Sequence, residues 1–144
     1  LEGEKMTFGD IDMSGTLNYA GHLYSVVAEL KNNLFSEGVE DAEIHLFAIS
    51  IGIKFNQRLP STEWKAGPNK AKSTPGKHIN TIEHIDALAL LLSARGDLSE
   101  ENKLNKVLSE YLNGGLTWIK ENEIHKRSFS HLSRQIEDFV SEIE

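Results

Sequence analysis

Cysteine is absent from the 144 residues, which excludes a disulfide framework, a thiolate zinc site and a cysteine nucleophile. Proline is scarce, and Pro60, Pro68 and Pro75 all fall in one stretch. No apolar run approaches the roughly 18 residues that a membrane-spanning helix needs, and the first residues lack the basic-then-apolar order of a signal peptide. No membrane contact is therefore expected, and the lack of cysteine is compatible with a reducing cytosol. No G-x-x-x-x-G-K-[ST], G-x-G-x-x-G or G-x-S-x-G is found, so nothing points to a phosphate loop or an activated serine. Positive charge is in deficit, with 15 Lys and Arg against 22 Asp and Glu and a net charge of −7. The field of such a molecule repels phosphate, which argues against a free-standing, non-specific DNA binder.

What is present suits one globular domain spanning residues 1–144. A chain of this length buries about two-thirds of the surface its unfolded form exposes, enough to fold without a metal or disulfide. The charge is unevenly laid out. Lys54, Arg58, Lys65, Lys70, Lys72 and Lys77 face only Glu63 between residues 53 and 78, while the rest of the chain holds nine cations and 21 carboxylates. A basic island thus sits on an acidic body.

Apolar spacing predicts a mainly α-helical fold of five or six helices. Leu17, Tyr19, Leu23, Tyr24, Val27, Leu30 and Leu34 recur at helical steps, with Asp12 or Ser14 as a cap and Gly38 beyond the end. Residues 40–55 are apolar almost throughout. Part of that run alternates as a strand would, but its length and its acidic first turn favour a buried helix. All three prolines, with Gly67 and Gly76, make residues 56–78 a long loop, and loops of that length are uncommon unless they serve a function or stay mobile. A helix resumes near Asn80 or Thr81 and stops at Gly96; another begins after Ser99 with Leu104, Val107, Leu108, Tyr111 and Leu112 on one face. Asn113-Gly114-Gly115 then costs a helix roughly 2 kcal/mol relative to alanines, so a break or a tight inter-helix approach is expected. Phe129, Leu132, Ile136, Phe139, Val140 and Ile143 mark a final amphipathic helix.

Two metal-site candidates fail on their chemistry. Asp10-Ile11-Asp12-Met13-Ser14-Gly15-Thr16-Leu17 copies the opening of an EF-hand loop, but the twelfth position, which takes a bidentate Glu, is Gly21. An acidic turn is the expected role. Of the six histidines, none sits in a recognised ligand motif, and ordinary surface or half-buried positions are expected for them. No metal, no cofactor and no catalytic residue is assigned; an enzyme whose site forms only in the fold, such as a metal-dependent nuclease, stays open as an alternative.

Lys and Arg interleaved with Ser, Thr, Asn and Trp64 suit a phosphate backbone. The same cations suit an acidic protein surface, a second copy of the chain, or plain solvation. The candidate nucleic-acid or partner-binding residues are Lys54, Asn56, Arg58, Lys65, Lys70, Lys72 and Lys77. For Asn56 and Arg58 the competing role is to cap a helix end, with Arg58 meeting the terminal carbonyls.

Three blocks carry a resemblance. Leu46-Phe47-Ala48-Ile49-Ser50-Ile51-Gly52-Ile53-Lys54 leads into Asn56, Arg58 and Pro60; Asp86-Ala87-Leu88-Ala89-Leu90 is followed by Gly96-Asp97; and Glu110-Tyr111-Leu112-Asn113-Gly114-Gly115-Leu116 closes the series. In this order they resemble the small accessory proteins encoded with bacterial DNA phosphorothioate modification and restriction (Dnd) systems. The blocks span roughly residues 44–119, while the segments before Leu34 and after Ile124 match nothing in that family. The resemblance implies a bacterial cytoplasmic protein working beside DNA-modifying or DNA-restricting machinery through protein partners, with DNA backbone contact and self-association open, and it implies no reaction.

Overall fold

The computed structural model describes residues 11–35, 38–60, 72–73, 79, 82–127 and 129–143, and of residues 72–73, 129–133 and 135 it describes the backbone. Five α-helices dominate: α1 (Tyr24–Asn33), α2 (Asp41–Lys54), α3 (Ile85–Ala94), α4 (Leu104–Glu121) and α5 (Phe129–Ile143). Two short strands, β1 (Asn18–Tyr19) and β2 (Lys72–Ser73), pair antiparallel with Tyr19 opposite Lys72. The mainly α-helical, single-domain expectation holds.

α4 is the axis. From Val107 to Leu116 every residue is buried, so the helix is enclosed on all sides and must supply its own polar solutions. α2 lies across it, with Ile44, His45, Ala48, Ile49 and Gly52 buried. Those steps of one, three and four are helical, which resolves the ambiguous period of residues 40–55. Asp41 and Glu43 sit in its first turn, where carboxylates favour the helix dipole.

The crossing depends on glycine. A Cβ on Gly52 would run into the Tyr111 carbonyl, one on Gly114 into the Gln57 carbonyl, and one on Gly115 into the Ala48 carbonyl. Because the obstructing atoms are backbone, no rotamer change relieves them. Of the two expectations for Asn113-Gly114-Gly115, the tight approach is realised and the break is not, since α4 runs unbroken to Glu121. Residues 104–124, read as two helical patterns, form one helix followed by a 3-10 turn at Ile124–Lys126.

The first helix is shorter than its periodicity suggested. Residues 18–19 are extended and a 3-10 turn at Gly21–Leu23 precedes α1. The cause is non-local. Asn113, fully buried, accepts the Ala20 N–H through Oδ1 (2.8 Å) and donates Nδ2 to the carbonyls of Asn18 (3.1 Å) and Ser109 (2.7 Å). Ser109 Oγ accepts the Asn18 N–H at 3.0 Å. A buried amide in α4 thus takes up peptide groups that a helix would have paired internally. The third helix likewise starts later than Asn80, because His84 adopts a left-handed φ of 63° immediately before Ile85.

Candidate functional site

Two helix ends of the same design build the site. α2 ends with Asn56 at φ 53°, and Gln57 N–H donates to the Gly52 carbonyl (2.7 Å) while Asn56 N–H donates to that of Ile53 (3.2 Å). α3 ends with Gly96 at φ 80°, with Asp97 N–H on the Leu92 carbonyl (3.0 Å) and Gly96 N–H on that of Ser93 (3.0 Å). Both are Schellman caps, which need a left-handed residue after the helix; glycine and asparagine meet that need most cheaply. The capping role of Asn56 is therefore realised. The chain beyond each cap delivers a charged residue, Arg58 in one case and Asp97 in the other.

α4 supplies the partners. Glu110, 7% exposed at its side chain, accepts Arg58 Nε through Oε1 at 2.5 Å. Asp97 receives the Tyr111 hydroxyl on Oδ2 (3.0 Å), lies 3.4 Å from Arg95 Nε and 3.9 Å from an Arg58 Nη. Arg95 also reaches the Tyr111 hydroxyl (3.4 Å), Asn56 Oδ1 (3.5 Å) and the Ile53 carbonyl (3.4 Å). An arginine does meet a terminal carbonyl of α2, but it is Arg95 and not Arg58. Both guanidinium carbons lie within 6 Å of the Tyr111 ring centroid, at 5.7 and 5.8 Å. Burial, and then the Asp97 hydrogen bond and charge, push the Tyr111 hydroxyl above its ordinary pKa, against the pull of Arg95 and Arg58. It stays a donor at neutral pH.

Among the described residues two arginines and two carboxylates make this network neutral, and most of its polar groups face one another. Such an arrangement suits fixing of the backbone better than proton transfer. What it fixes is the start of the basic segment. Leu59 N–H donates to the Glu110 carbonyl at 3.0 Å, so residues 57–59 are bound to α4 beside Gly114. At the other end Lys72 pairs with Tyr19 in the two-stranded ladder, and buried Ile79 donates its N–H to the Gly15 carbonyl at 2.9 Å.

The sequence candidates therefore part company. Asn56 and Arg58 join the network. Lys54 is exposed, with Nζ 5.6 Å from the Phe55 ring centroid, and Phe55 in turn stacks on Trp118 at 4.4 Å with ring planes 8° apart. Lys72 is set by its strand, and Lys65, Lys70 and Lys77 lie outside the described residues. Arg95, Asp97 and Glu110 gained no site role from the sequence, and Tyr111 only a place on an apolar helix face. Nothing local marked Glu110: its carboxylate needs a cationic partner only because α4 is enclosed.

The other charged features do local work. Asp12 accepts the Ser14 N–H (2.9 Å) and hydroxyl (2.5 Å) and sits 3.5 Å from Lys103 Nζ. The Ser14 hydrogen bonds lead in holding its carboxyl below the usual range. It is a turn, as expected, but neither Asp12 nor Ser14 caps the first helix: Ala20 precedes the 3-10 turn and Leu23 precedes α1, neither with a side-chain cap. Asp10, the first position of the EF-hand-like run, lies outside the described residues. His125 is buried with Nε2 3.2 Å from Glu29, tying the 3-10 turn to α1. Among the described residues no group of three or more His, Asp and Glu converges as metal ligands would, and no helix is long and apolar enough to cross a membrane. No family model, no curated protein and no solved structure matches the chain.

Proposed function

We propose that this protein is a non-catalytic adaptor of a bacterial DNA phosphorothioate modification or restriction system, acting through protein contacts and, along its basic segment, through weak contact with the DNA backbone. One observation carries the reading: residues of all three blocks that bear the resemblance meet at one place. Asn56 and Arg58 come from the first block, Asp97 from the second, and Glu110 and Tyr111 from the third. Gly52 of the first block and Gly114 and Gly115 of the third make the backbone crossing beneath them. A shared motif set that builds an anchor instead of a reactive centre fits a protein that presents a segment to partners. The segment presented carries the chain's largest local positive excess.

Affinity capture from the native host with the tagged chain tests the adaptor role. Recovery of sulfur-modification or restriction proteins, reduced by changing Lys65, Lys70, Lys72 and Lys77 to Glu, is the expected result. Recovery of neither class removes the reading. The DNA contact is tested separately by titrating labelled duplex at two salt concentrations, where each neutralised phosphate contributes a log–log slope of about −0.9. Equal binding by the four-fold Glu variant removes the DNA contact.

A further inference from the structure

α5 carries its described apolar side chains outward. Residues 134 and 136–143 are all exposed, and among them Ile136 is 64%, Phe139 62%, Val140 43% and Ile143 69% exposed. Their steps of three, one and three make a single stripe, and Phe129 and Leu132 continue the same spacing in the sequence. Isolated helices of roughly 12–15 residues are marginal in water, so a covered stripe would stabilise this one substantially.

The edges of the stripe say what covers it. At about 100° per residue, Glu137 borders one side and Glu142 the other, both exposed, while Arg134 falls on the opposite face of the helix. Neither edge has a described cation. A second copy of α5 would set carboxylate against carboxylate in either orientation, and an anionic lipid surface would be repelled as well. A helix edged by Lys and Arg neutralises both sides. We propose that α5 is a docking helix for a partner protein, whose amphipathic helix lays an apolar stripe on Ile136, Phe139, Val140 and Ile143 and brings basic residues against Glu137 and Glu142. This surface is separate from the Arg58 network, and the inference stands whether or not the adaptor reading does.

The test titrates the whole chain with two synthetic helical peptides that share one heptad-spaced Leu/Ile stripe and differ in their edges, Lys and Arg in one and Glu in the other. The basic-edged peptide should bind about tenfold more tightly, with the preference shrinking as salt is raised. Ile136→Ser with Phe139→Ser should remove that binding with the urea midpoint unchanged, and Glu137→Lys with Glu142→Lys should invert the preference. Binding of neither peptide, equal binding of both, or an unchanged preference in the charge-swapped variant overturns the proposal. So does self-association of the free chain that Phe139→Ser abolishes, or binding to phosphatidylglycerol vesicles.

Discussion

α4 and α5 are both amphipathic in sequence, and the fold treats them in opposite ways. α4 is enclosed, its Glu110 and Asn113 are buried with partners, and its glycines touch the backbone of α2. In α5 the described apolar side chains face solvent, and the charged ones, Glu137, Asp138 and Glu142, do too. One helix is a finished interface within the chain; the other is half of an interface. Apolar spacing tells where a stripe lies along a helix but not which surface covers it, so the difference emerges only in three dimensions.

The sharpest way to break the comparison is to place one alanine in each helix. Gly115→Ala should destabilise the protein by about 3 kcal/mol or more in urea, because overpacking against the Ala48 carbonyl outweighs the roughly 1 kcal/mol gained in helix propensity. Ser141→Ala on α5 should change stability by less than about 0.5 kcal/mol. Similar values for the two would dissolve the distinction.

Acid should act on the enclosed region as well. His45 is 1% exposed on α2, with its ring edge-on to Tyr19 at 5.1 Å. Burial lowers its pKa from 6.5 to about 4, against a smaller opposing effect of Asp41. Between those values the unfolded chain binds the proton and the folded chain does not, so stability is complete above pH 6.5 and declines as pH falls to 4. The loss amounts to about 3 kcal/mol at the lower end. Urea titrations at pH 7, 5 and 4 should show a flatter profile for His45→Phe than for the wild type.

A smaller effect is expected in the polar network. Glu110→Gln leaves Arg58, 27% exposed, with the more distant Asp97 as its carboxylate partner among the described residues, and should cost about 2 kcal/mol. A double-mutant cycle with Arg58→Met should return a coupling above about 1 kcal/mol; additive losses would mean that the pair is incidental. Smallest of all, Ile136→Ser with Phe139→Ser should leave the free protein's stability within about 0.5 kcal/mol.

How much of this was legible depends on the range of the cause. The Gly96 cap of α3, the apolar face of α4 and the existence of α5 follow from local spacing, and each is where the sequence puts it. Residues 18–20 are not helical because Asn113 and Ser109, about ninety positions away, take the peptide groups of Asn18 and Ala20. Gly114 and Gly115 read locally as a weakness in a helix, and only the α2 backbone lying against them turns that into a requirement. Asn56 and Arg58 were visible as a polar exit from an apolar run. Their partners were not, since Arg95, Asp97 and Glu110 lie 37 to 52 positions downstream and nothing local distinguishes them from solvated charges. In α5 the stripe was legible in full, but its exposure was not.

Hydrogen exchange on the free chain, followed by mass spectrometry across a urea series, tests the contrast between the two helices most directly. Amides of α2 and α4 should exchange only through global unfolding, with protection that falls as urea weakens the whole protein, while those of α5 should exchange through local opening at a rate nearly independent of urea. Protection of α5 equal to that of α4 in the free protein, with the same urea dependence, would contradict the account, because its apolar stripe would then already be covered.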